Sequence, residues 1–217
     1  MRGHLGWLRG ALGAALAIIL SAVVTWLLLG SKSPALPWLV APLGASAVLV
    51  FAVPASPLAQ PWSVVGGNLI SAAIGIGIGM YTGSAMLAPG LAVGVAIAVM
   101  TFTRCLHPPG GACALLCALG AAGGEAWTWA YLLPITANVL TLALVGMIYN
   151  KLTGHSWPHR APPPASNPAL VRCSHTRSDI EDVLADWDEV LDVDIDDLDA
   201  FLREVNRHVE RREIVER

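Results

Sequence analysis

The strongest constraint on this chain is the near-absence of charge over most of its length. Residues 1–150 hold four Lys/Arg (Arg2, Arg9, Lys32, Arg104) and one acid (Glu125), whereas residues 151–217 hold nine Lys/Arg and fifteen acids. A stretch so long and so poor in charge cannot present an ordinary solvated surface. It reads as a membrane domain in contact with the lipid bilayer, and the remainder reads as a soluble tail. The net charge of −3 conceals this division, and no basic block resembles a nucleic-acid footprint, so nucleic acid is not an expected partner. Cys105, Cys113, Cys117 and Cys173 lack CxxC spacing, so a metal or disulfide role is not expected, and the first three lie in apolar stretches where cysteine reads as a small packed hydrophobe.

Six apolar segments run at about 9–30, 36–53, 62–81, 86–104, 109–121 and 127–149. The first is about twenty residues long, enough to span, and is read as an uncleaved helix rather than a signal peptide. Four segments have spanning length. The second and fifth are shorter and bounded by proline or glycine, which suits a broken helix, a re-entrant hairpin or a short tilted crossing, so four to six crossings stay open. Arg2 and Arg9 before the first segment, with Lys151, Arg160 and Arg172 after the last, place both termini in the cytoplasm of a cell-membrane (inner-membrane) protein. Six crossings would bring Arg104 and His107 toward the cytoplasmic side; four would reverse that.

The chain also matches itself. Pro42 to Leu49 (PLGASAVL) and Pro109 to Leu116 (PGGACALL) agree at five of eight positions, and Asn68 to Ser71 (NLIS) resembles Asn138 to Thr141 (NVLT). Each half runs as a long segment, a short Pro-Gly segment, then a long segment carrying asparagine. Such an order points to a duplicated, transporter-like architecture with its site between the halves. Three crossings per half would make the halves inverted; re-entrant short segments would make them parallel.

Proline at a first helical position favours helix starts at Pro42 and Pro109. The amides of Gly44 and Ala45 in one half, and of Gly110, Gly111 and Ala112 in the other, are candidates to meet a small anion, with Ser46 and Cys113 in matching places. Arg104 could balance the anion's charge, and His107 could donate a hydrogen bond or carry a proton. Asn68 and Asn138 either line the site or bond neighbouring helices together. No catalytic constellation or cofactor motif is present, so neither an enzyme nor a cofactor is expected; the acidic run at Asp192–Asp197 fails as an EF-hand, having Asp197 and Arg203 where glycine and glutamate belong.

The expected organisation is a membrane domain at 1–150, a proline-rich linker at 151–177 and an acidic helical pair at 178–217. Ser178 and Glu181 form the sequence pattern of a capping box, and a second helix is expected from about Asp196 to about Arg212.

Several blocks resemble the HPP family of integral membrane proteins: His107-Pro108-Pro109 itself, Ala41 to Trp62, Gly66 to Ala72 and Arg104 to Leu115. The resemblance covers roughly residues 10–150. It implies an all-α polytopic membrane fold, described for the family as four transmembrane helices. Because plant chloroplast members are associated with nitrite transport, it also implies passage of nitrite or a similar small monovalent anion such as nitrate. Bacterial members often carry paired CBS domains beyond a helical segment like 178–217. None is present in this sequence, so nucleotide regulation is not implied. A non-transporting membrane anchor or sensor, whose tail recruits a partner, is the competing expectation, and a homo-oligomer stays open.

Overall fold

A computed structural model of the 217-residue chain describes residues 6–30, 39–123, 127–159, 175–187 and 195–215. Arg2, Lys32, Glu125, Cys173, Asp192, Asp194 and most of the linker lie outside them. The chain divides into two units, residues 5–160 forming one and the tail the other, and every regular element among the described residues is helical.

In the first unit α1 (Gly6–Leu29) leads to α2 (Pro42–Ala52), a 3₁₀ turn (Pro57–Ala59), α3 (Pro61–Thr82), α4 (Ala88–Phe102), α5 (Pro108–Ala122), a second 3₁₀ turn (Trp129–Tyr131) and α6 (Leu132–Leu152). Proline stands in the first turn of α2, α3, α4 and α5. Its fixed φ suits a helix start, and the N–H it lacks has no intrahelical partner there. The second Pro-Gly helix begins at Pro108, one residue before the expected start. Among the described residues three stretches are long and apolar enough to cross a membrane, α1, α3 and Trp129–Leu152. The fourth expected long span, at 86–104, is corrected: its helix has 15 residues, because a turn at Ser84 precedes it and a reversal after Phe102 ends it.

Burial is inverted relative to a water-soluble bundle. The inward face of α1 is Gly10, Gly13, Ala17, Ser21 and Thr25, while Leu12, Ile19, Trp26 and Leu27 point outward. Small residues let backbones approach, and an exterior of large aliphatic side chains is favourable only against lipid. Glycines bring α3 and the segment leading into and through α5 close together. A Cβ on Gly67 would lie 2.5 Å from the His107 Cβ, and one on Gly75 would collide with the Ala114 carbonyl.

Side-chain pairings set the relative directions. Arg9 at the start of α1 donates to Asn150 Oδ1 (2.9 Å) near the end of α6 and to the Phe51 carbonyl (3.0 Å) near the end of α2. Ser21 bonds the Asn138 carbonyl (3.3 Å), so α1 and α6 are antiparallel. Trp62 Nε1 at the start of α3 donates to the Thr103 carbonyl (3.1 Å) after α4, and Trp157 Nε1 donates to the Ala59 carbonyl (3.0 Å). The start of α1, the ends of α2, α4 and α6, and the starts of α3 and α5 therefore share one face.

In the tail, α7 (Arg177–Trp187) and α8 (Ile195–Val215) pack against each other, with Ile180 buried and Leu198 and Leu202 half-buried. The capping box lies two residues earlier than the sequence pattern suggested: Thr176 N donates to Asp179 Oδ2 (2.6 Å) and Asp179 N to Thr176 Oγ1 (3.3 Å). Thr176–Asp179 fits the same spacing as Ser178–Glu181, and its shorter carboxylate reaches the cap amide. Those bonds hold the Asp179 carboxyl below its ordinary value, and Arg203, followed by His175, does the same for Asp199.

Candidate functional site

His107 lies between α4 and α5 with extended backbone (φ −143°, ψ 108°), the conformation its neighbour Pro108 imposes. Its side chain is fully buried. Nδ1 lies 2.8 Å from the Leu58 carbonyl in the 57–59 turn, and Nε2 lies 2.9 Å from Ser46 Oγ, one turn into α2. A carbonyl can only accept, so Nδ1 carries the proton and Nε2 accepts from the Ser46 hydroxyl. Asn68 Nδ2 on α3 donates to the same Oγ at 3.1 Å and to the Val64 carbonyl at 2.9 Å. One directed chain, from Asn68 through Ser46 and His107 to Leu58, thus ties α2, α3, the start of α5 and the connecting turn. Ser46 lies five residues before Phe51, placing the chain roughly 8 Å inside the shared face at 1.5 Å per residue.

What the structure brings together from the two Pro-Gly segments is a pair of side chains, Ser46 one turn into α2 and His107 just ahead of α5. Gly110 N already donates to the His107 carbonyl (2.8 Å), while Leu43 N and Gly44 N donate to Val40 and Ala41 (3.0 and 3.1 Å). Gly44, Ala45 and Ala112 are exposed, Gly111 is half-exposed, and Gly110 and Cys113 are buried, Gly110 against Gly67 and Ser71 of α3.

Asn138 builds a second, separate cluster. It receives Val40 N on Oδ1 (3.1 Å) and donates to Thr25 Oγ1 (2.6 Å), tying α6 to α1 and to the residue two before α2. Ser21 and Thr25 were missed from sequence, although a polar pair at i, i+4 on the Gly10–Gly13–Ala17 face was a legible sign of a helix contact. Leu58 acts through its carbonyl and leaves no side-chain signature.

Arg104 stands apart from His107. It is exposed, with a left-handed backbone (φ 56°), where Arg104 N bonds the Thr101 carbonyl (3.2 Å) and Cys105 N the Met100 carbonyl (2.9 Å). These are the two bonds of a Schellman helix end, with arginine at the position glycine usually takes. This reversal terminates α4 and swings the chain inward, so that Cys105 and His107 are buried. The guanidinium makes no hydrogen bond or ion pair among the described residues, and it sits at the helix end that favours positive charge.

A bundle with a lipid-compatible exterior and a polar chain inside defines a multi-pass helical membrane protein. The chain belongs to the HPP transmembrane family, whose "HPP, transmembrane region" matches residues 2–158. It is similar to two transmembrane proteins of Dictyostelium discoideum, 40% identical over 118 residues and 41% over 119. Each alignment takes in 52% of this chain, and the chain spans 41% and 38% of those relatives. No solved structure matches it.

Proposed function

We propose that the membrane unit is a permease for a small monovalent anion, with nitrite or nitrate as the first substrates to try. The observation that carries this is His107, a fully buried ionisable side chain with both ring nitrogens engaged, at the meeting of two proline-started helices. Such a group in a membrane bundle is expensive to keep and marks a pathway by default. Arg104 on the shared face supplies a positive mouth. Arg9, Lys151 and Arg104 all fall on that face, which supports a cytoplasmic assignment by positive charge and six alternating crossings in place of four.

The adjacency of the helices supports two inverted halves. Exchanging α1–α3 with α4–α6 maps α1·α2 onto α4·α5, α1·α6 onto α3·α4 and α2·α6 onto α3·α5, and each of these pairs packs. Passage is favoured over catalysis although Ser46 and His107 stand as a nucleophile and base would. The ring's orienting partner is a backbone carbonyl, and neither side chain is exposed. A second reading, a membrane anchor whose tail recruits a partner, draws on exposed Val183, Phe201 and Val205 of α7 and α8.

Purified protein in liposomes is expected to take up nitrite or nitrate above the rate of protein-free vesicles, with uptake falling severalfold in Arg104→Gly. Equal uptake by the variant removes Arg104 from the pathway. No uptake of either anion, with a partner lost on deleting residues 178–217, favours the anchor.

A further inference from the structure

We propose that His107 is a proton-binding site and that the anion crosses together with the proton it carries, one for one; this rests on the permease reading above. The hydrogen-bond chain around the ring is built to hold either protonation state. In the neutral ring, Nδ1–H donates to Leu58 and Nε2 accepts from the Ser46 hydroxyl. When Nε2 gains a proton it becomes a donor, and Ser46 must turn its hydrogen elsewhere. A second acceptor is in place, the Pro42 carbonyl, 3.4 Å from Ser46 Oγ. The Oγ lone pairs then receive Nε2–H and Asn68 Nδ2–H, so both ring nitrogens, the serine hydroxyl and the asparagine N–H groups keep their partners.

Protonation changes what the cluster offers. Neutral, it presents one acceptor at Nε2. Protonated, it presents two N–H donors, from His107 and Asn68, converging on the point now held by Ser46 Oγ. An oxyanion accepting from both would replace the hydroxyl and balance the charge.

No other group near the ring supplies that balance. Among the described residues, α2, the 57–59 turn, α3, α4, α5 and the link into α5 contain no Asp, Glu or Lys. Their titratable groups are the buried thiols of Cys105, Cys113 and Cys117, Tyr81 at the far end of α3, and Arg104, whose side chain is at the surface. A buried imidazolium without a counter-charge is strongly disfavoured, so proton and anion each raise the affinity for the other. The proton enters at Nε2 from one side and leaves with the anion to the other, so the cycle moves no net charge.

The test is nitrate accumulation in proteoliposomes under two separately imposed gradients. Nitrate is chosen because its conjugate acid is too strong to cross as the neutral molecule. With the interior one pH unit more alkaline and no membrane potential, coupling is expected to accumulate nitrate about tenfold, since one pH unit is about 1.4 kcal/mol. A potassium diffusion potential alone is expected to accumulate none. Nitrate that follows the potential and ignores the pH gradient overturns the proton proposal and leaves the permease reading standing. No nitrate or nitrite flux under either gradient overturns the permease reading itself. In His107→Gln, which cannot take up a proton, accumulation driven by the pH gradient is expected to disappear; its survival at the wild-type level overturns the assignment to His107. The wild-type measurement decides the coupling even where the variant fails to fold.

Discussion

At Arg104 the ordinary ranking of two small residues is expected to reverse. The backbone there is left-handed (φ 56°) and both of its reversal bonds are made, so the conformation is held by the end of α4 and not by the arginine side chain. For a residue with a Cβ this region costs roughly 1–2 kcal/mol, and glycine avoids that cost. Within a helix, alanine is the more stable of the two by about 1 kcal/mol. Comparing Arg104→Gly with Arg104→Ala removes the guanidinium from both, so the difference isolates the backbone. Glycine is expected to be the more stable by about 1 kcal/mol, after allowance for the greater freedom it gains in the unfolded chain. For a chain of this size that is an unfolding midpoint roughly 2–4 °C higher, measured on detergent-solubilised protein at one scan rate. An alanine variant as stable as the glycine variant, or more so, refutes the left-handed assignment. It would also undo the account of how α4 ends and His107 is turned inward. The same two variants serve the transport assay, where equal losses in both are expected if the charge is what matters.

Gly75→Ala places a methyl group against the Ala114 carbonyl, where neither backbone can withdraw, and is expected to destabilise by about 1–3 kcal/mol or more in the same thermal assay. At exposed Gly94, with nothing within 4 Å, alanine is expected to be tolerated. Asn138→Ala leaves the buried Val40 amide without its acceptor and is expected to cost about 1–3 kcal/mol, with slower amide exchange at Val40 as the contrary result. In the tail, Asp179 and Asp199 have carboxyls held below the ordinary 3.8, chiefly by Thr176 and by Arg203. A lowered folded-state value means stabilisation that is complete above the unfolded value and fades as pH falls through the lower one. A nitroxide at exposed Ala200 is therefore expected to stay immobile from pH 7 to about 4 and to gain mobility below that; mobilisation near pH 6 would contradict it.

Much of the site was visible in the residues because the membrane makes polar groups costly. His107, Ser46 and Asn68 stand out against an uncharged background, and the order of prolines and glycines marked the segments of α2 and α5 as short ones at matching places in the chain. Arg104 was grouped with His107 because they stand three positions apart. What divides them is a single left-handed residue, and arginine carries no mark of that conformation as glycine would. The amides of Gly44 and Gly110 were expected to be free because helix starts usually leave donors unpaired, but here the carbonyls of Ala41 and His107 take them in tight local turns.

The sequence by itself determined that this is a membrane protein whose charges gather in its last third, since charge distribution and apolar length depend on composition along the chain and on the thickness of a bilayer. It also marked the start of α2 at Pro42 and that of α5 to within one residue, because proline acts through its own ring. Tertiary structure alone decided that Asn68 joins Ser46 and His107 while Asn138 joins Thr25 and Val40. The two asparagines occupy matching places in similar segments, and only the helix packed against each one selects its partner. Structure alone also supplied Leu58, whose carbonyl sets the histidine tautomer. A backbone acceptor is the same in every residue, so its role comes entirely from where the fold puts it.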